Sequence, residues 1–314
     1  MAYRKVIVFG ATGAVGSNAA LTAQQLGAKV VLASRDPKKP IPGLTAAQEQ
    51  AGSFERVQAD LTQPETVRAA AAQTGAQAAF IYFAHGSTDH QRGAIEALKA
   101  GGVEFVVFLS SLTTKGDVRA IGPELFIPFA HAQVEIGLEE VFGKQGYAAV
   151  RPGYFASNLE RYKKVIATAS TVVRVPSPNA KFDYITSEDM GRVSGALLVR
   201  GREALADGKN DVPLAGPQLV TQAEVISLLG KVVGKDLKVD GFETEEEELK
   251  FVTENMHVPE IVARQMVKGY RAAESGTPLY DGIYDEAAAN VERYGGKRAI
   301  TIQEWLEAHV SEFK

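Results

Sequence analysis

Three glycines near the start of the chain have the spacing of a phosphate-binding loop. Gly10, Gly13 and Gly16 follow the apolar run from Lys5 to Phe9 and precede a helix-forming segment from Asn18 to Leu26. A glycine at each position removes a Cβ that would obstruct the turn, the ligand or the packing of the helix on the strand. Backbone N–H groups and the helix N-terminus would then face a pyrophosphate. Contacts to a dinucleotide are expected from Gly10, Thr12, Gly13, Ala14, Val15 and Gly16.

The residues after the second apolar run, Ala28 to Ala33, indicate which dinucleotide this is. A dinucleotide fold places an acidic residue here for the ribose diol of NAD, or a basic residue for the 2′-phosphate of NADP. Arg35 comes first, followed by Asp36 and Lys38. A guanidinium suits bidentate contact with a phosphate, so Arg35 and Lys38 favour NADP(H). The alternatives are that Asp36 binds the diol of NAD, or that these residues form a solvated turn.

Further apolar runs alternate with helix-forming segments and predict the fold class. Strands are expected at Phe54–Leu61, Ala78–Phe83, Val103–Leu109 and Tyr147–Val150, and helices at Pro64–Gln73, Asp89–Ala100 and Phe129–Phe142. Such runs are typical of buried parallel strands. The prediction is an α/β protein with a Rossmann-type, doubly wound parallel sheet in residues 1–157.

The regular alternation loosens after Asn158, and residues 158–314 are expected to form a smaller mixed α/β substrate lobe, with the chain able to weave between the two. Strands are predicted at Thr171–Val175, Asp211–Ala215 and Leu237–Phe242, and helices at Thr221–Val233, Glu260–Glu274 and Thr301–Phe313. The last helix opens with a capping-box-like Thr301 to Glu304. His257 has no companion at metal-ligand spacing, so no metal site is expected.

Hydroxyl-bearing residues follow the fifth and sixth predicted strands and are candidate proton donors. Ser111, Thr113 and Thr114 come after the fifth strand, and Tyr154 comes after the sixth. The carboxyl ends of parallel strands form the ligand crevice, so these hydroxyls are expected near a bound nicotinamide. Alternatively, Tyr154 is a wall of an apolar pocket and the Ser-Thr run is a helix cap.

Bulk composition excludes several classes of protein. The chain of 314 residues is 45% hydrophobic and 23% charged, with 34 basic against 38 acidic residues. This balance does not favour direct binding to a nucleic acid. The chain contains no cysteine, so disulfides and thiol nucleophiles are absent. Without a signal pattern or an apolar run long enough for a membrane, a cytoplasmic monomer or homodimer is expected.

Five segments together resemble the NmrA-like branch of the atypical short-chain dehydrogenase/reductases. They are the glycine loop, Ser110-Ser111 at the end of a strand, the helix segment His131 to Glu135, the run Arg151 to Asn158, and the segment Phe182 to Met190. The resemblance implies a nicotinamide dinucleotide as cofactor. It also implies, by position, that Asp60 contacts the adenine; the alternative is that Asp60 is a turn residue at the start of the next helix. The remaining residues expected to line the cofactor are Leu61, Phe83, Ala84, His85, Ser110, His131, Pro152, Gly153 and Tyr154.

The chain departs from the superfamily in its catalytic pattern. Ordinary short-chain reductases use a Tyr and a Lys four residues apart on one helical face, and the matching helix here has no such pair. Related isoflavone-type reductases use a lysine at the start of this helix, and His131 matches that position. A histidine titrates near neutrality, and Glu135, one turn further on, is expected to hold it charged. His131, with Tyr154 or Ser111, is therefore the candidate acid, although His131 could equally have no chemistry.

Two classes of function follow from these features. The first is an NADPH-dependent oxidoreductase that reduces a carbonyl, imine or enone of a small, mostly apolar molecule. The second is a catalytically silent NADP(H)-binding redox sensor that acts through a protein partner, which the missing Tyr-Lys pair favours. A third, narrower possibility is an enzyme that catalyses an isomerisation or a dehydration.

Overall fold

The computed structural model describes residues 2–52, 54–168, 172–205, 208–256, 258–276, 279–280 and 282–313. The chain divides into two compact units. The first consists of Met1–Pro152, Ser187–Leu214 and Ala289–Lys297, and the second of Gly153–Thr186, Ala215–Ala288 and Arg298–Lys314. The predicted boundary at residue 157 thus lies five residues beyond the end of the first long segment. Two later segments of the chain return to the first unit.

In chain order, the strands are β1 (Lys5–Phe9), β2 (Lys29–Ser34), β3 (Phe54–Gln58), β4 (Ala78–Tyr82), β5 (Phe105–Leu109), β6 (Tyr147–Pro152), β7 (Val172–Arg174), β8 (Lys181–Phe182), β9 (Asp211–Leu214), β10 (Val220–Thr221) and β11 (Lys238–Asp240). The α-helices are α1 (Ala14–Gln25), α2 (Ala46–Ala51), α3 (Pro64–Thr74), α4 (Arg92–Ala100), α5 (Phe126–Phe142), α6 (Lys163–Thr168), α7 (Ser187–Arg200), α8 (Gln222–Val232), α9 (Glu245–Met256), α10 (Glu260–Glu274), α11 (Tyr284–Gly295) and α12 (Ile302–Ala308).

The first unit is built on a seven-stranded sheet in the order β3-β2-β1-β4-β5-β6-β9, and all of its pairings are parallel. The chain runs outward in both directions from β1, which confirms the doubly wound, Rossmann-type prediction. One strand was misassigned. The segment Asp211–Ala215 was predicted to belong to the C-terminal lobe, but β9 pairs with β6 as the edge strand of the main sheet.

Glycines bring a helix of the first unit close to the helix that follows the phosphate loop. A Cβ at Gly191 of α7 would lie 2.7 Å from the carbonyl oxygen of Val15, and one at Gly195 would lie 2.8 Å from Cβ of Thr22. Only glycine therefore permits this packing of α7 on α1. The packing supports the helix whose N-terminus borders the glycine loop.

The second unit has its own core, with the two short sheets β10-β8 and β11-β7. Aromatic and aliphatic residues fill this core, including Tyr162, Tyr184 and Trp305. The capping box at Thr301 and Glu304 is confirmed at the start of α12. His257 lies outside the described residues.

No helix within the described ranges is long and apolar enough to cross a membrane. In the same part of the chain, no group of three or more His, Asp or Glu side chains is arranged to hold a metal ion.

Candidate functional site

The glycine loop of the first unit has a backbone that other residues would not tolerate. Gly10 has a φ of 70°, in the left-handed region. A Cβ at Gly16 would overlap the carbonyl oxygen of Gly10 and lie 2.8 Å from its carbonyl carbon. The Gly13 N–H donates to the Gly10 carbonyl at 2.9 Å and closes the turn. Gly10 and Gly16 are therefore needed for the tight passage from β1 into α1.

The N-terminus of α1 is open to an anion. Gly13 is its N-cap residue and makes no side-chain capping hydrogen bond, and the first turn contains no acidic residue. The first N–H groups of a helix have no partner within the helix, and the helix dipole makes this end electropositive. A phosphate group would satisfy both features.

A cleft of about 310 Å³ lies over the loop. It is lined by Gly10, Thr12, Gly13, Ala14, Val15, Gly16, Phe80, Tyr82 and Leu109. All six loop residues predicted to contact a dinucleotide therefore line one cavity. The facing wall is formed by the carboxyl-terminal parts of β4 and β5, where ligands bind in open α/β sheets.

Tyr82 is a cleft residue that the sequence analysis missed. Its ring lies against Gly10, since a Cβ there would be 2.6 Å from Cε1 of the tyrosine. Burial raises the pKa of Tyr82, while the charges of Arg35 and Asp60 act on the same hydroxyl in opposite directions. The signal that could have identified it is the period-two alternation of β4, which places Tyr82 on the same side of the sheet as Phe80.

Arg35 and Asp36 differ in how they are engaged. Arg35 is exposed, and its carbonyl oxygen accepts a hydrogen bond from the Gln58 side chain at 3.2 Å. Asp36 uses its carboxylate to accept the Lys38 N–H at 3.0 Å, so it stabilises the turn after β2. This turn role weakens the alternative in which Asp36 binds a ribose diol. Lys38 is also exposed.

Asp60 and Leu61 lie just beyond β3. The Asp60 Oδ1 accepts hydrogen bonds from the N–H and the hydroxyl of Thr62, both at 2.9 Å. This carboxylate therefore stabilises the turn before α3, which is the alternative to its predicted contact with adenine. Leu61 is 4% exposed and packs in the core of the first unit.

The residues after β4 are held by a buried glutamine. The side chain of Gln91 is fully buried, accepts the Ala84 N–H at 2.7 Å and donates to the Tyr82 carbonyl at 3.1 Å. Gln91 itself has a φ of 65°, a strained conformation for a residue other than glycine. The adjacent Phe83 ring packs against the ring of His85, with centroids 5.0 Å apart. The end of β4 is thus fixed rigidly.

His131 lies on α5 among aromatic rings. Its ring centroid is 5.4 Å from that of Phe83 and 5.8 Å from that of Phe108. Nδ1 is buried and has no hydrogen-bond partner among the described residues. Burial, with a smaller contribution from His85, lowers the pKa of His131 to about 4. The imidazole is therefore neutral at pH 7 and can donate one N–H.

The expected partnership of Glu135 with His131 was wrong. Glu135 is buried and instead forms a two-point ion pair with Arg151 of β6, at 3.0 Å from Nε and 2.5 Å from Nη2. It also accepts the Ser110 hydroxyl at 2.6 Å. A guanidinium from a neighbouring strand out-competes an imidazole on the same helix because it matches a carboxylate at two points. Ser110 is thus committed to this network.

The other hydroxyls after β5 are placed differently. The Ser111 hydroxyl lies 2.8 Å from that of Thr113. The Thr114 hydroxyl is buried and, among the described residues, has no hydrogen-bond partner. Neither arrangement is a helix cap, so both hydroxyls remain candidates for contact with a ligand.

The run after β6 is bound to a buried carboxylate in the second unit. Asp183 accepts the Tyr154 N–H at 2.7 Å and the Gly216 N–H at 2.8 Å, and it also accepts the Tyr280 hydroxyl. A Cβ at Gly153 would lie 2.5 Å from Oδ1 of Asp183, so only glycine admits the carboxylate. Burial raises the pKa of Asp183 to about 6.

Within the second unit, the Tyr154 side chain belongs to an aromatic cluster. Its ring stacks on Phe182 with centroids 4.3 Å apart, and its hydroxyl lies 3.2 Å from that of Tyr270. Burial raises the pKa of Tyr154. These contacts place the Tyr154 side chain against the core of the second unit. In the first unit, Pro152 is buried and its carbonyl accepts the Leu112 N–H at 2.9 Å.

A doubly wound parallel sheet with a glycine loop, an uncapped α1 and a cleft over both defines the class of Rossmann-type dinucleotide-binding folds. The family can be stated more closely. The chain belongs to the NmrA-like family, whose model matches residues 3–306. It is 39% identical over 327 residues to the nitrogen metabolite regulation-like protein bik4 of Gibberella fujikuroi, and the match covers 99% of this chain and 98% of that protein.

Solved structures with this fold include reductases and a regulator. The NADPH-dependent quinone oxidoreductase QOR2 of Escherichia coli, complexed with NADPH, superposes with a TM-score of 0.71 at 18% identity, over 98% of this chain and 99% of that one. NmrA, a negative transcriptional regulator in complex with NAD, gives 0.68 at 14% identity, over 98% and 95%. At these identities the likeness establishes the fold.

Proposed function

We propose that the protein binds NADP(H) in the cleft of its first unit and is an oxidoreductase for a small, mostly apolar carbonyl, imine or enone. The observation that carries this proposal is the glycine loop. Gly10 and Gly16 leave no room for a Cβ, and the uncapped α1 presents its N–H groups to the cleft. The residues present therefore fit a pyrophosphate.

Arg35 supports the choice of NADP(H) over NAD(H). It is an exposed cation at the end of β2, and its charge acts on the Tyr82 hydroxyl at the cleft wall. A guanidinium presents two N–H groups in one plane, which suits the oxygens of a 2′-phosphate. Asp36, the competing ribose ligand, already accepts the Lys38 N–H.

His131 is proposed as the group that polarises the substrate oxygen. Bound NADPH would supply the hydride. Because the pKa of His131 is lowered to about 4, the imidazole acts at neutral pH as a neutral N–H donor rather than as an imidazolium acid. A neutral donor in an apolar setting stabilises negative charge that develops on a carbonyl oxygen. Ser111 stays the second candidate donor, since its hydroxyl has only a neighbouring threonine as partner.

A redox sensor is the second candidate function. The chain is 39% identical to a protein named as nitrogen metabolite regulation-like. In addition, α5 has no Tyr-Lys pair four residues apart. A protein of this kind would bind the dinucleotide without consuming it and transmit its state to a protein partner.

Turnover of NADPH separates the two functions. The purified protein is incubated with NADPH and a panel of quinones, aldehydes and cyclic imines, and loss of reduced-nicotinamide absorbance is followed. Steady loss with any acceptor class supports the oxidoreductase. Silence across the whole panel, with NADPH binding intact by calorimetry, contradicts the oxidoreductase and supports the sensor.

Substitution of Arg35 tests the identity of the cofactor. The variant R35A should bind NADPH roughly 10- to 150-fold more weakly, because a charge-assisted hydrogen bond contributes about 1.5–3 kcal/mol. Its affinity for NADH should change little. Lys29, an exposed cation at the opposite end of β2, provides the control variant K29A. Equal losses of NADPH and NADH in R35A would contradict the contact with the 2′-phosphate.

A further inference from the structure

Tyr82 is an exposed aromatic residue on a strand that is otherwise buried. Strand β4 lies between β1 and β5, and its residues from Ala78 to Ile81 are at most 1% exposed. Tyr82 is 36% exposed. Side chains two apart on a strand point to the same side of the sheet, so Tyr82 shares the side of Phe80, and both line the cleft.

The surroundings of Tyr82 hold its ring in place over the glycine loop. At the position of a Gly10 Cβ, the ring atoms Cε1 and Cδ1 are only 2.6 and 2.9 Å away. The backbone carbonyl of Tyr82 also accepts a hydrogen bond from the side chain of the fully buried Gln91. Tyr82 therefore presents an aromatic surface that packs directly against the glycine loop.

The charges around its hydroxyl indicate which half of a dinucleotide this surface would meet. Arg35 follows β2 and Asp60 follows β3, and both charges act on the Tyr82 hydroxyl. Gly10 follows β1, which lies between β4 and β2, so a Tyr82 ring packed on Gly10 leans from β4 toward the β2 and β3 side of the cleft. In doubly wound folds the pyrophosphate lies on the first glycine loop, and the end of β2 meets the adenosine ribose. The surface therefore faces the adenosine half.

We propose that the Tyr82 ring is the surface on which the adenine base of the dinucleotide stacks. This role rests on the proposed binding of NADP(H) and adds a residue to it. Aromatic rings stack on purines face to face with an offset, and a tyrosine loses little conformational entropy on binding because its side chain has only two rotatable bonds. The stacking gives affinity for the adenosine half of both NADPH and NADH, whereas Arg35 discriminates between them.

The test uses the two halves of the cofactor as separate probes. Adenosine 2′,5′-bisphosphate and reduced nicotinamide mononucleotide are titrated by calorimetry into the wild type and into Y82L and Y82F. Y82L should bind the adenosine probe about 5- to 150-fold more weakly, the range measured for loss of one aromatic stacking partner. Y82F should stay within about twofold, because it keeps the ring. Neither variant should change binding of the nicotinamide probe.

A matched control removes an exposed ring elsewhere in the first unit. Phe126, at the start of α5, is 41% exposed, so F126L deletes a comparable aromatic surface away from the cleft. It should bind both probes as the wild type does. If Y82L binds the adenosine probe unchanged or more tightly, or if Y82F loses as much as Y82L, the stacking role is overturned.

A second readout does not depend on affinity. The chain has one tryptophan, Trp305, which belongs to the core of the second unit. Y82W introduces an indole into the cleft, and its emission should be quenched by adenosine 2′,5′-bisphosphate, with the wild-type signal as background. Emission that is unchanged at a saturating concentration of the probe overturns the proposal. A wild type that binds neither NADPH nor the adenosine probe overturns the proposed function itself, and the role of Tyr82 with it.

Discussion

The neutral state of His131 predicts a pH dependence of stability that one substitution should remove. Phenylalanine is the chosen replacement, since the imidazole already packs beside the rings of Phe83 and Phe108. H131F keeps an aromatic side chain there and deletes the titrating group. At pH 7 its free energy of unfolding should be within about 3 kcal/mol of the wild type, because phenylalanine is somewhat larger than histidine and overpacking typically costs about 1–3 kcal/mol.

The magnitude follows from the two pKa values of the group. His131 has a pKa of about 4 in the folded protein and 6.5 as its model value. As the pH falls below 6.5, the unfolded chain takes up a proton that the folded protein refuses, so the contribution of His131 to stability is present above this pH and is lost below it. The loss should be roughly 2 kcal/mol between pH 7 and pH 5, and about 3 kcal/mol well below pH 4.

Urea unfolding followed by circular dichroism measures this effect. The free energy of unfolding is determined for the wild type and H131F at half-unit steps from pH 5 to pH 7.5. Other titrating groups contribute equally to both proteins, so the difference between the two curves isolates His131. Parallel curves would refute the buried neutral imidazole. Titration of the His131 ring signals by NMR with a midpoint near 6.5 would refute it as well.

Three further substitutions test the packing and the buried polar groups. G16A should weaken NADPH binding and reduce the free energy of unfolding by about 1–3 kcal/mol, since its Cβ would overlap the loop backbone. E135A should destabilise the fold by about 3–5 kcal/mol, because it leaves a buried guanidinium without its carboxylate. D183N should cost about 1–3 kcal/mol, because an amide cannot accept all three hydrogen bonds that converge on the carboxylate. Urea unfolding measures all three.

Each of these substitutions has a matched control, in which the same type of residue is changed at a position that lacks the crowded or buried contact. A Cβ at Gly13 would lie 3.4 Å from the nearest atom, an ordinary contact, so G13A should cost only the roughly 1 kcal/mol by which alanine is worse than glycine at an N-cap. Glu140 is an exposed carboxylate that pairs with two arginines, and E140A should have little effect. Asp285 is exposed, so D285N should also leave stability unchanged. A control as damaging as its partner would contradict the corresponding reasoning.

The main sheet could be predicted from sequence because its strands are apolar runs with a simple order. Strands β1 to β5 fall within or close to the predicted ranges, and α10 matches its prediction at both ends. The strand β9 could be detected but not placed. It is short and contains Pro213, which lacks an N–H and suits an edge strand, and nothing in Asp211–Leu214 indicates that its partner is β6.

The candidate site could be predicted where it depends on the spacing of neighbouring residues. It could not be predicted where two side chains compete for the same partner. The six loop residues line one cleft because consecutive residues of one turn must do so. Glu135 is four residues from His131, yet its partner is Arg151, sixteen residues away on a neighbouring strand. Helical spacing identifies side chains that can pair within one helix. Which pair forms depends on side chains that the fold brings near from other elements, and the spacing along the sequence does not reveal these.

The position of β9 has a consequence for truncated forms of the protein. Since β9 covers the open edge of β6 and comes from residues that follow a long segment of the second unit, no single cut releases the dinucleotide-binding unit whole. A fragment that stops before Asp211 would present a row of unpaired N–H and C=O groups along β6, which is a template for pairing with other chains. A fragment that contains β6 and ends before Asp211 should therefore aggregate, and binding experiments with shortened forms need a chain that includes β9.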